Sequence, residues 1–423
     1  MLIFKKSSIN ICNKFPKFVP TKKLKSMFRL KLKPVFAALL IAMTATSTVS
    51  AQDDLINKVK ANQSANSKDH FVFTDVINLE NTSVKDQGSS GTCWSYSGNS
   101  FIESEMIRMG KKPVELAQIF TARNAYIEKG KMYVKMHGAV TLGEGGAFHD
   151  VMNMYKKYGT VPRSVYTGLQ EGQSRNNFSE MSKMAESVLG SVIKNDKLSD
   201  NWLKAYTAVI DTYLGEAPTE FMYEGKKYTP KTFADQVVGV NADDYIEISS
   251  LKEYPYYTKF TLLVPDNWSF DQVYNVKMDE LVETVDNALK NGYTVAWAGD
   301  VSEKGFSWKN GVAYVPEVDF TQMTAEQKAD MFNGPKPEKQ VTEEQRQKAF
   351  DNYETTDDHG MHITGIAKDQ NGKAYYIVKN SWGLSNDYHG YMYMTKEFMK
   401  YKATAIMLHK NAVPKAIAQK LSI

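Results

Sequence analysis

Cysteine usage constrains this chain before anything else. It has two cysteines, Cys12 and Cys93, and Cys12 falls in a basic leader. The body therefore carries one thiol and has no internal disulfide to hold it together. It must fold around an apolar core, and 423 residues at 42% hydrophobic content supply one. No stretch of the body reaches the roughly 20 consecutive apolar residues of a membrane-spanning helix. A lone thiol is either buried filling or a nucleophile, and its surroundings decide which.

Residues 1–51 hold ten basic residues and no acid, which leaves 42 basic against 48 acidic residues and a net charge of −6. The mild basicity of the whole chain belongs to this leader, so charge makes no case for nucleic-acid binding. Residues 27–33 are a basic stretch, residues 35–45 an apolar run of 11, and Val49-Ser50-Ala51 a small-residue cleavage site. That order predicts a signal peptide and an exported protein, periplasmic or secreted, with translation starting at Met27 as an option. A short membrane anchor is the alternative. Cys12 lies in no lipobox-like context.

A Gly- and Ser-rich loop over residues 83–92 runs straight into Cys93. After it, Phe101, Ile102, Glu105, Met106 and Met109 recur at helical spacing, so Cys93 is expected at a helix N-terminus. Further helices are expected over 114–128 and 148–158, the latter entered through Gly143-Glu144-Gly145-Gly146. Residues 164–354 alternate amphipathic helices (180–193, 200–213, 277–289, 343–353) with strand-like runs at 260–264 and 294–298. The C-terminal part is strand-rich, at 363–367, 374–379, 390–394 and 403–408, with a hairpin turn at Asp369-Gln370-Asn371-Gly372. Helices first and antiparallel strands last is an α+β arrangement.

Thiol catalysis needs a thiolate, an imidazole, a group to orient the imidazole, and donors for an oxyanion. A helix N-terminus favours the thiolate at Cys93. Gln87, six residues earlier, can supply one oxyanion donor and the Cys93 backbone N–H the other. Seven histidines are available; His359 and His362 sit close together in sequence, three positions apart and therefore on opposite faces of a strand. Asn380 follows a strand that pairs with the one beginning near His359, so the two side chains should lie side by side. The group Asp357, Asp358, His359 and His362 has no matching distant ligands, and no metal site is read from it.

Gln87-Gly88-Ser89-Ser90-Gly91-Thr92-Cys93-Trp94, His359-Gly360-Met361 and Asn380-Ser381-Trp382-Gly383 resemble the catalytic blocks of papain-like cysteine peptidases, in family order. Gly365, six residues after His359, fits the family spacing. The resemblance implies a two-lobe fold, with Cys93 as nucleophile, His359 as base, Asn380 as its orienter, Gln87 as oxyanion residue and Trp382 as a shield over the Asn–His contact. Gly145 and Gly146 resemble the stretch whose backbone binds substrate. No cofactor is implied.

Three features look like the bleomycin hydrolase and aminopeptidase C branch. Ser90 stands where papain has a disulfide cysteine, only 35 residues separate Ala51 from Gln87, and 266 positions separate Cys93 from His359. The segment from Gly292 to Val301 also resembles that branch. The implied organisation is a leader (1–51), a helical lobe (52–163), an inserted and connecting region (164–354) and a β-rich lobe (355–423). The implied activity is that of a cysteine aminopeptidase on peptide substrates, working through an acyl-enzyme. Members of the branch are usually cytosolic, which sets the leader apart. The tail after Val413 is short for the branch, which keeps an open-cleft endopeptidase as an alternative; a catalytically silent peptide-binding protein is another. The resemblance also admits a homo-oligomer, a hexameric ring, which no residue of this chain specifies.

Overall fold

The computed structural model describes Leu55 and residues 70–423. The signal-peptide reading, with Cys12 and the Met27 start, lies outside the described residues. Among the described residues no helix is long and apolar enough to cross a membrane.

The first helices are α1 (Cys93–Arg108), α2 (Gln118–Lys135), α3 (Phe148–Tyr158), α4 (Ser179–Val192) and α5 (Asn201–Leu214). Helix α1 is buried from Cys93 to Met106, polar residues included. Each buried polar group must then find a partner. Ser95 Oγ donates to the Gln118 carbonyl at 2.7 Å, and Glu103 Oε1 accepts the Leu116 N–H at 2.7 Å. Helix α2 starts four residues later than the apolar spacing suggests. Residues 115–117 are extended instead, pairing with 161–163 through Ala117 N–H to Val161 carbonyl and Arg163 N–H to Glu115 carbonyl.

The main sheet is mixed and mostly antiparallel. Its centre runs Tyr245–Ser249, Ala403–His409, Val295–Gly299, His359–Asp369, Ala374–Lys379 and Tyr391–Thr395. These are β1 to β6 when numbered along the chain: β1 (Tyr245–Ser249), β2 (Val295–Gly299), β3 (His359–Asp369), β4 (Ala374–Lys379), β5 (Tyr391–Thr395) and β6 (Ala403–His409). Strand β2, with Tyr245–Ser249 and Gln272–Asn275, comes from the 164–354 stretch and joins the main sheet, while α4 and α5 of the same stretch lie with the helices.

Strand β2 explains its own continuous apolar sequence. Val295 and Trp297 enter the core beneath the sheet, whereas Ala296 enters the helical core. Both faces are buried, so polar alternation is absent. The β3–β4 hairpin forms with Gly372 at φ +82° in its turn, a conformation that favours glycine. The α+β, two-lobe expectation is met. Strand β3 starts at His359, four residues earlier than expected, and pairs His359 with Gly299. That extension carries His359 to the strand end facing the α1 N-terminus.

Candidate active site

Cys93 is the first residue of α1 and 7% exposed. The loop before it is pinned: Ser89 N–H donates to the Asn176 carbonyl, and Phe178 N–H to the Ser89 carbonyl. Gly88, at φ +69°, lies against that same Asn176 carbonyl, and a Cβ there would overlap it. Strand β3 comes close behind; a Cβ on Gly360 would stand 3.3 Å from Trp94 Cα, and Ser97 Oγ donates to the Gly360 carbonyl at 2.7 Å.

Burial pushes the Cys93 thiol up to about 12, helped by the negative charges of Asp266 and Asp357. Hydrogen bonds from the Gly360 and Trp94 backbones pull it down. The helix N-terminus alone therefore does not produce a standing thiolate, because desolvation is the larger effect.

His359 is 3% exposed. Its Nε2 donates to Asn380 Oδ1 at 2.8 Å, in the tautomer that contact requires. Nδ1 is left with no protein partner. Burial holds His359 down to about 4, against a smaller upward pull from Asn380. Trp382 covers the contact, its ring centroid 4.5 Å from that of His359. No hydrogen bond joins Cys93 to His359 in this state; such bonds are often loose without substrate. Burial penalises either charge alone, so a thiolate here is best made with an imidazolium beside it.

His362 is elsewhere. Its Nδ1 meets Ser100 Oγ at 3.0 Å, and Lys379 Nζ donates to the same hydroxyl at 2.8 Å. Burial, and then the Lys379 charge, hold it well below the ordinary histidine range. It serves the α1–sheet contact.

Gln87 is fully buried and joins the two halves. Its Nε2 donates to the Ser90 carbonyl and its Oε1 accepts from Ser381 Oγ, both at 2.6 Å. Among the described residues no acceptor takes the second Nε2 proton. The Gly145-Gly146 stretch packs against the residues that flank Cys93. Trp94 Nε1 donates to the Glu144 carbonyl at 3.1 Å, and Glu144 Oε2 accepts the Gly91 N–H at 2.6 Å. The buried ammonium of Lys129 donates to the Gly143 and Gly145 carbonyls. A Cβ on Gly145 would overlap the Asp266 carboxylate.

Residues 131–423 match the Peptidase C1-like family. The chain belongs to that family. The matched segment contains His359 and Asn380 and begins after Cys93. This Peptidase C1-like chain is 23% identical over 405 positions to aminopeptidase C of Lactobacillus delbrueckii subsp. lactis, covering 85% of this chain and 86% of that one. It is 22% identical over 431 positions to the mitochondrial cysteine proteinase 1 of Saccharomyces cerevisiae strain S288c, covering 90% and 85%. The crystal structure of PepW from Lactobacillus rhamnosis superposes with a TM-score of 0.64 at 21% identity, over 93% of this chain and 92% of that one, which shows the shared fold. Membership makes this a cysteine-type peptidase, as the three motif blocks anticipate.

Sequence reasoning missed Lys129, Glu144 and Asp266. Lys129 was findable: with Ala122, Ala125 and Tyr126 it shares the buried face of α2, and a lysine inside an apolar stripe signals a job. Asp266 sits in a loop whose sequence, Val264-Pro265-Asp266-Asn267, announces only a turn.

Proposed function

We propose that this chain is a cysteine aminopeptidase that hydrolyses peptides through a Cys93 acyl-enzyme. The observation that carries the reading is the His359 Nε2–Asn380 Oδ1 hydrogen bond at 2.8 Å, beneath Trp382, with Nδ1 left free beside the Cys93 helix end. His359 takes the Cys93 proton as the thiolate attacks the peptide carbonyl. The oxyanion is received by the Cys93 backbone N–H and Gln87 Nε2. His359 protonates the leaving amine, then activates the water that releases the acid, while Asn380 holds its ring. Gly145 and Gly146 present backbone to the substrate. Similarity to aminopeptidases C over 85% and 87% of this chain supports removal of N-terminal residues.

The reading includes export directed by residues 1–51, and assembly into a homo-oligomer, a hexameric ring by family resemblance. Fractionation of cells and sedimentation of the purified protein test these. The activity itself is tested under reductant with one peptide in free-amine and N-acetylated forms, with Cys93→Ala as control. Cleavage of the free-amine form alone is expected. Equal cleavage of both would make the enzyme an endopeptidase, and equal activity of Cys93→Ala would remove the mechanism.

A further inference from the structure

An enzyme that trims N-termini must recognise an ammonium group and stop the chain from continuing past it. A carboxylate that lies against Gly145, and whose charge is felt by Cys93, is placed for both tasks. Asp266 lies against Gly145, on the stretch assigned above to substrate backbone, where even a Cβ would meet it.

The loop bearing Asp266 is fixed. Asn267 Nδ2 donates to the Leu262 and Asp271 carbonyls, each at 2.9 Å, and Trp268 Nε1 donates to Asp150 Oδ2 at 2.9 Å. Yet among the described residues no hydrogen-bond donor reaches the half-buried Asp266 carboxylate itself, and neither of its oxygens is sealed from solvent. A rigid loop thus holds out an acceptor that the protein leaves unused.

Charge tells the same story. Lys129 is the cation acting on Asp266, but it donates to the Gly143 and Gly145 carbonyls. Asp357, held by Thr404 Oγ1 at 3.2 Å, adds a second negative charge that Asp266 repels. Both charges reach Cys93. A cation arriving beside Asp266 would relieve this repulsion.

We propose that Asp266 receives the free α-ammonium group of the substrate and blocks longer chains, so that this residue sets cleavage to the N-terminus. The proposal rests on the peptidase reading above and names the residue responsible for its exopeptidase character. An acetylated chain loses the charge and runs into the Asp266 loop. The same carboxylate could instead take a lysine or arginine side chain, and the assay separates these sources.

The test compares kcat/KM for a leucyl coumarylamide, its N-acetyl form, and acetyl-Lys-Leu and acetyl-Leu-Leu coumarylamides. Wild type should prefer the free amine. Asp266→Asn should lower that preference about 10- to 100-fold, the worth of a charge-assisted hydrogen bond, while cleavage of the acetylated forms holds or rises. Because the readout is a ratio, partial loss of folded enzyme cancels. If Asp266→Asn cuts neither form, Asp266→Glu, which keeps the charge, must retain the preference; its loss there overturns the proposal. Preference for the free amine that survives intact in Asp266→Asn also overturns it, while leaving the aminopeptidase reading in place. Wild type that cuts both forms equally overturns the reading and the proposal together. An Asp266-dependent preference for acetyl-Lys-Leu over acetyl-Leu-Leu would assign the carboxylate to a side-chain cation.

Discussion

Removing the Asn380 side chain isolates the orienting step. His359 Nε2 donates to Asn380 Oδ1 at 2.8 Å, with both residues 3% exposed. In Asn380→Ala that N–H is left buried without an acceptor, as is the Ser381 N–H, which donates to the same oxygen at 2.7 Å. An orphaned buried donor costs about 1–3 kcal/mol. If the His359 share falls on the transition state, kcat drops by about 5- to 150-fold. The Ser381 share falls on the ground state and lowers the melting temperature instead. Asn380 also pulls the His359 pKa up against burial, so its removal moves His359 further below about 4 and makes imidazolium scarcer. Alkylation of Cys93 by neutral iodoacetamide at pH 7 should slow in parallel, because forming the thiolate needs that imidazolium. The assay is kcat at saturating substrate, alkylation rate and thermal melt on one preparation. A stable variant with kcat and alkylation within twofold of wild type would refute the argument.

Two other substitutions give distinct signatures. Gln87→Ala removes a proposed oxyanion donor and should lower kcat by about 10²–10³ with little change in KM; a KM effect alone would mean Gln87 only positions Ser381. Asp357→Asn should stabilise the fold. Burial, with the Asp266 charge, pushes Asp357 up to about 7. A carboxyl raised in the native state contributes most when protonated, and that contribution is lost as pH rises from about 4 through 7. The variant's advantage should thus be absent below pH 4 and reach about 1–2 kcal/mol above pH 7, discounted for partial exposure. Equal denaturation midpoints at pH 8 would contradict it.

The contrast between Cys93 and Asp266 shows what a sequence carries. The blocks holding the candidate residues Cys93, His359 and Asn380 were legible because each lies in a local pattern: a Gly-rich loop into a helix, a histidine just before an apolar strand, and an Asn-Ser-Trp-Gly turn after the paired strand. Most helices and strands were legible too, since their apolar spacing reports burial of one face. Helix α1 is buried all round, and its polar side chains find partners the sequence does not name: Ser95 the Gln118 carbonyl, Ser97 the Gly360 carbonyl, Ser100 the His362 ring and Glu103 the Leu116 N–H. Its thiol was expected to be pulled down by the helix end, yet desolvation dominates once the residue is buried. Desolvation depends on the whole enclosure and has no local signature. The placement of Asp266 depends on a loop about 120 residues further along the chain meeting Gly145, which no local spacing encodes.

The central claim, covalent catalysis by Cys93, is tested most directly by intact-mass analysis of enzyme quenched within milliseconds of mixing with a free-amine aminoacyl p-nitrophenyl ester. A mass increase equal to the aminoacyl group, mapped to the peptide containing Cys93 and absent in Cys93→Ala, is the predicted result. Rapid turnover with no adduct on Cys93, or turnover that persists in Cys93→Ala, would contradict the account.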